Sequence, residues 1–211
     1  MKLRLAESRD NITLDLKELL LIKGAPLSYT LYPEPSFRPR CDTDLLFPDR
    51  ASAEKGWSIV QERGYQRPNA VSGEIISHEF SCCKTGPASI GHNLDLHWRL
   101  SNNQLFARLF DFDELAHSAV KVPQLNNADT LGPEHALLLA CVHRIQHKTE
   151  QQENRLIWLY DIHLLCRSFS PAMWQQFLAA AQKKQLCSIC LDGLRSAMIF
   201  PGTSVPESTI L

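Results

Sequence analysis

Apolar and polar positions follow two different periods along the chain, and the change falls near residue 130. Leu19-Leu20-Leu21-Ile22 is a short unbroken apolar run that stops at Lys23-Gly24, which predicts a buried strand running into a turn. Pro26 suits the first turn of a helix reaching Tyr32, and Pro33, Pro35 and Pro39 make residues 33–41 a loop. Asp42 to Phe47 predicts a second strand, and Ala51 to Arg63 a helix closed by Gly64. Ile75 to Cys83 and Ile90 to Leu100 read as a hairpin joined through Gly86-Pro87. In its second strand Ile90, His92, Leu94, Leu96 and Trp98 share one face, and Gly91, Asn93, Asp95, His97 and Arg99 the other. From Gly132-Pro133 onward the period lengthens. Leu137, Leu138, Cys141, Val142 and Ile145 stripe one helix, and Leu156–Cys166, Pro171–Lys183 and Leu186–Phe200 predict three more. Leu3, Leu5, Leu14 and Leu16 fit neither period, and the tail after Phe200 reads as loose.

The pattern predicts an α+β protein: a mixed β-sheet with flanking helices over residues 1–125, then a helical bundle over residues 126–211. Composition agrees, with 44 % hydrophobic and 21 % charged residues, enough apolar surface for a sizeable core. Charge narrows the function. With 22 Lys+Arg against 23 Asp+Glu the net is −1, which argues against a nucleic-acid binder working by bulk electrostatics. No apolar run approaches the roughly 18 residues of a membrane span. Charged Glu7, Arg9 and Asp10 follow the start directly, leaving no signal-peptide core. Seven cysteines is an odd number for a disulfide framework. A cytoplasmic protein with reduced thiols is expected.

Asp42-Thr43-Asp44 is the first feature with chemical content. Residues i and i+2 of a strand share a face, and Leu45, Leu46 and Phe47 bury the strand beyond them. Two carboxylates this close repel unless a cation lies between them, and Mg²⁺ takes one or two carboxylates together with substrate phosphates. Taken alone, a solvated polar strand end is the simpler reading. Asp95, a third carboxylate on another predicted strand, is what two-metal phosphoryl or nucleotidyl transfer requires. In Lys23-Gly24-Ala25 a glycine after a buried strand lets a phosphate approach backbone N–H groups, with Lys23 adding a charge. The spacing is not that of a Walker loop. Arg38 and Arg40 could contact a triphosphate, or be solvated loop charges. His143 and His147 stand one turn apart on a helix face and could bind zinc or simply pack; Arg144 follows His143, so His-Glu-x-x-His is absent. Cys187-Ser188-Ile189-Cys190 falls in a helical pattern and reads as core.

Taken together these stretches resemble the nucleotidyltransferase superfamily of the DNA polymerase beta type, and within it the bacterial uncharacterised nucleotidyltransferases. The resemblance rests on Ile22-Lys23-Gly24-Ala25, Tyr32-Pro33, Arg38-Pro39, Asp42-Thr43-Asp44-Leu45-Leu46 and Asp95-Leu96-His97-Trp98. It extends to His143, His147, Trp158 and Asp161. Ala25 stands where the wider superfamily has Gly or Ser. The resemblance implies a nucleotidyltransferase-like sheet whose cleft the helical domain covers. Asp42, Asp44 and Asp95 would bind metal and act in catalysis. Lys23, Gly24, Ala25, Arg38, His97, His143 and His147 would contact the nucleotide. The implied cofactors are Mg²⁺ or Mn²⁺ and a nucleoside triphosphate, ATP as donor. The implied reaction moves a nucleotidyl group to a hydroxyl or similar acceptor on a small molecule or protein. The alternative is an inactive module of the same fold that binds a nucleotide or partner without turnover.

Overall fold

The computed structural model describes residues 2–5, 12–15, 19–68, 77–86 and 91–206. The chain forms two compact units, Met1–Leu131 and Gly132–Leu211. The first holds a two-stranded antiparallel ribbon of β1 (Lys2–Leu5) and β2 (Ile12–Asp15), the stretch whose periodicity was ambiguous. Its main sheet has six strands: β3 (Leu20–Ile22), β4 (Thr43–Leu46), β5 (Glu79–Thr85), β6 (Gly91–His97), β7 (Val120–Val122) and β8 (Ala128–Thr130). They lie in the order β5-β6-β4-β3-β8-β7. β4 runs parallel to β6 and β3 parallel to β8; the other pairs are antiparallel, so the sheet is mixed.

Three helices accompany the sheet: α1 (Gly24–Thr30), α2 (Arg50–Gln61) and α3 (Phe112–His117). Asp49 starts α2 by accepting the Ser52 amide at 2.7 Å, a good N-cap. α2 packs on β5 and β6, and Gly56 is the point of closest approach: a Cβ there would stand 2.6 Å from the Phe47 ring. The core below gathers Leu21, Leu45, Phe47, Val60, Phe80, Leu94, Leu96 and Trp98. Leu45 and Leu96 point into it, so their strand neighbours Asp44, Asp95 and His97 take the opposite face.

Of the expected hairpin, β5 and β6 form as antiparallel neighbours, while Ile75, Pro87 and Ile90 lie outside the described residues. The three-residue strands β7 and β8 and the six-residue α3 went unforeseen, because each is too short to show a period. Thr130 ties β8 into place by donating its hydroxyl to the Leu21 carbonyl at 2.8 Å.

Among the described residues the second unit holds four α-helices: α4 (Pro133–Gln146), α5 (Leu156–Ser168), α6 (Pro171–Lys183) and α7 (Cys187–Ala197). α4 packs against the other three. Pro133 and Pro171 open their helices at the first turn, and Ser170 caps α6 through the Met173 amide. Small residues let α4 and α7 meet closely, with Gly193 against Cys141. All seven cysteines are free thiols. Among the described residues no helix is long and apolar enough to cross a membrane.

Candidate active site

Strand register builds the site. Asp44 on β4 is the direct partner of Ile22 on β3 and of Asp95 on β6, so the two carboxylates stand side by side on one sheet face. Two residues further along β6, on the same face, comes His97, whose own partner on β5 is Glu79. Lys23 follows Ile22 directly, at the end of β3. Five ionisable side chains thus converge from four strands.

Their contacts form a chain. Asp44 Oδ1 accepts from Lys23 Nζ at 2.5 Å and lies 2.8 Å from His97 Nε2. Lys23 Nζ is 3.4 Å from the same imidazole nitrogen. On the far side of the ring, His97 Nδ1 lies 2.9 Å from a Glu79 carboxylate oxygen. Asp44 is 3 % exposed and His97 2 %. Burial alone would raise the Asp44 carboxyl, but the Lys23 ammonium and the His97 ring overturn that and hold it far below the usual carboxylate range. Glu79 is likewise held down, to about 2: burial opposes, and His97 prevails. Burial and Lys23 would lower His97, yet its bonds to Asp44 and Glu79 raise it. Asp95 differs. Burial raises it, and the Ser81 hydroxyl only partly offsets that.

Asp42 lies just before β4 and is exposed. Desolvation and then repulsion from Asp44 raise its carboxyl. Asn93 fixes the chain beside it, donating to the Cys41 carbonyl at 2.9 Å. Arg38 is 7 % exposed and lies against the turn: a Cβ added to Gly24 would come 2.9 Å from the guanidinium carbon. A side chain at 24 would displace the Arg38 guanidinium from the turn. Ala25, next in α1, is buried.

The structure thus gathers Lys23, Asp44, Asp95 and His97, with Asp42 at the strand mouth and Arg38 against Gly24. His143 and His147 belong to the second unit, where they cluster with Trp158; all three ring pairs are 4.8 Å apart between centroids. Arg155 stacks on that indole at 5.0 Å, and His147 Nδ1 lies 2.9 Å from Glu150. Sequence reasoning missed Glu79. Its one signal was a carboxylate beside Phe80 in a predicted strand, and only the β5–β6 register aims it at His97.

Ligand atoms of Asp44, Asp95 and His97 lie within 4.8 Å of one another. Two carboxylates and one imidazole suit a divalent ion that accepts oxygen and nitrogen, Mg²⁺ or Mn²⁺ among them. Glu79 behind His97 adds the outer carboxylate that commonly orients a ligating imidazole. The residues present fit a cation.

A family profile described as uncharacterised nucleotidyltransferase matches residues 17–200, nearly the whole chain. The chain belongs to that family, and its general class is nucleotidyltransferase. Among solved structures it is similar to an antigenic nucleotidyltransferase-like protein from Paracoccidioides brasiliensis. That match has 15 % identity and a TM-score of 0.41, covering 83 % of this chain and 84 % of the other. No curated protein is similar in sequence.

Proposed function

We propose that the first unit transfers a nucleotidyl group from a nucleoside triphosphate, ATP as donor, to a hydroxyl or similar acceptor in the cytoplasm. The observation that carries this reading is the in-register pairing of Asp44 with Asp95, with His97 two residues on and Asp42 at the mouth of the same strand. Asp44, Asp95 and His97 would hold the divalent ion, Mg²⁺ or Mn²⁺, and exposed Asp42 would face it from the solvent side. A divalent ion at such a site lowers the pKa of an acceptor hydroxyl and neutralises triphosphate charge. Arg38, sheltered against Gly24, is a preorganised cation for a phosphate oxygen. Ala25 follows in the same turn. The near-neutral net charge favours a small molecule or a protein as acceptor over a long nucleic acid.

The test is pyrophosphate release from ATP with Mg²⁺ or Mn²⁺, assayed against fractionated metabolites and proteins as acceptors. The proposal expects release that depends on metal and on an acceptor fraction, and that disappears in Asp44→Ala. Nucleotide binding without pyrophosphate from any fraction would instead identify a module that binds without turnover.

A further inference from the structure

Lys23 is the unusual residue of the site. Its backbone has φ 58° and ψ −128°, in the left-handed half of the map that a lysine rarely enters. That conformation turns the side chain back onto the sheet face, where Nζ reaches Asp44 Oδ1 at 2.5 Å. His97 Nε2 meets the same oxygen at 2.8 Å. A carboxylate oxygen has two lone pairs. Both on Asp44 Oδ1 are engaged, by groups standing among the three side chains whose ligand atoms converge.

We propose that the Lys23 ammonium is a tethered cation that competes with a divalent ion for Asp44 Oδ1, so that this oxygen accepts the ion only when Lys23 lets go. The inference rests on reading Asp44, Asp95 and His97 as a metal site. The surroundings support exchange rather than permanent occupation. Asp44, Glu79 and Asp95 put three carboxylates around Lys23 and His97, so a further positive charge is favoured; Asp42 also faces Arg38 and Arg40. The Lys23 side chain is 21 % exposed, against 5 % for Asp44, so it is the more accessible partner of the pair. Lysine suits the role because its charge is a point on a flexible stem, which can swing away without dismantling a fork of bonds.

The experiment is Mn²⁺ binding to the full chain, followed by the paramagnetic resonance of free Mn²⁺, in wild type, Lys23→Met, Lys23→Gly and Arg40→Met. Glycine at 23 suits the backbone conformation and guards against a folding failure of the methionine variant. Arg40→Met removes a charge that acts on Asp42 without freeing Asp44. Both Lys23 variants should bind Mn²⁺ at least about tenfold more tightly than wild type, and Arg40→Met less than about threefold, since Coulomb repulsion at contact far exceeds that at a distance. Equal affinity in wild type and both Lys23 variants would overturn the competition while leaving the metal site intact. An equal gain in Arg40→Met would overturn it too, by reducing it to general charge. No Mn²⁺ binding in any variant would refute the metal site itself. Independently of mutation, Mn²⁺ should raise acetylation of Lys23 in the wild type at least about threefold, as expected of an amine released from its ion pair. Unchanged or reduced labelling would contradict the proposal.

Discussion

Asp44 in the first unit and Arg144 in the second are each 3 % exposed, and each sits among polar partners. Their surroundings differ in balance. Arg144 donates to Asp192 through Nη1 and to Asn154 and Ser196 through Nη2, both at 2.8 Å. One guanidinium meets one carboxylate and two neutral acceptors, and the network ties α4 to α7. Around Asp44, the three carboxylates Asp44, Glu79 and Asp95 meet one ammonium and one imidazole, while Asp42 has Arg38 and Arg40 as further counter-charges. A charge-balanced pair such as Arg144 with Asp192 fastens helices together. A network with surplus negative charge calls for a further cation, and burial makes that demand stronger.

The comparison can be broken by exchanging the consequences of mutation. Asp44→Ala or Asp95→Ala should abolish nucleotidyl transfer, by roughly 10³-fold or more, while leaving the fold intact by circular dichroism. Arg144→Met should do the opposite. It removes an ion pair whose Asp192 end is exposed, together with the hydrogen bonds to Asn154 and Ser196, lowering stability by roughly 1–3 kcal/mol in urea titration. Transfer lost in Arg144→Met as well, or retained in Asp44→Ala and Asp95→Ala, would erase the distinction.

Glu79 sharpens it further. Its carboxyl is held at about 2 against an ordinary 4.5, so the unfolded chain takes up the proton first. Its contribution is complete above about pH 4.5 and is lost as pH falls toward 2, on the order of 3 kcal/mol. Acid titration of melting temperature should show this loss, and Glu79→Gln should flatten it. The same variant should weaken Mn²⁺ binding by about 10- to 100-fold, the usual cost of removing the partner behind a ligating imidazole. The smallest effect belongs to Gly24→Ala. Arg38 must withdraw from the new Cβ, and ATP affinity should drop by about tenfold, with Mn²⁺ affinity unchanged in an equilibrium binding assay.

Strand β3 is legible in the sequence because it is an unbroken apolar run ending in charge, and β4 because Leu45, Leu46 and Phe47 follow the paired aspartates. Asp44 and Asp95 stand out for a related reason: a carboxylate inside an apolar strand needs an explanation. What the chain does not spell out is pairing. Asp44 opposite Asp95, and Glu79 opposite His97, depend on which residue of one strand faces which of another, and that register is set by the whole sheet. Lys23 was readable as a charge beside a turn glycine. Its return onto Asp44 comes from a positive φ that its residue type disfavours. Arg38 was readable as a loop charge near the carboxylates, yet its seat against Gly24 is a tertiary contact between α1 and the loop after it. The long helices α4 to α7 need no such information, since each carries its own apolar stripe.

The most direct test is thermal melting with ATP, with and without Mg²⁺, on wild type and on the Asp44→Ala/Asp95→Ala double variant. A ligand at 100 times its dissociation constant adds about 2.7 kcal/mol, which is readily seen as a rise in melting temperature. The paired carboxylates predict a magnesium-dependent rise in the wild type that the double variant lacks. A rise of equal size in both proteins, or none in either, would contradict the assignment of the sheet face as a metal–nucleotide site.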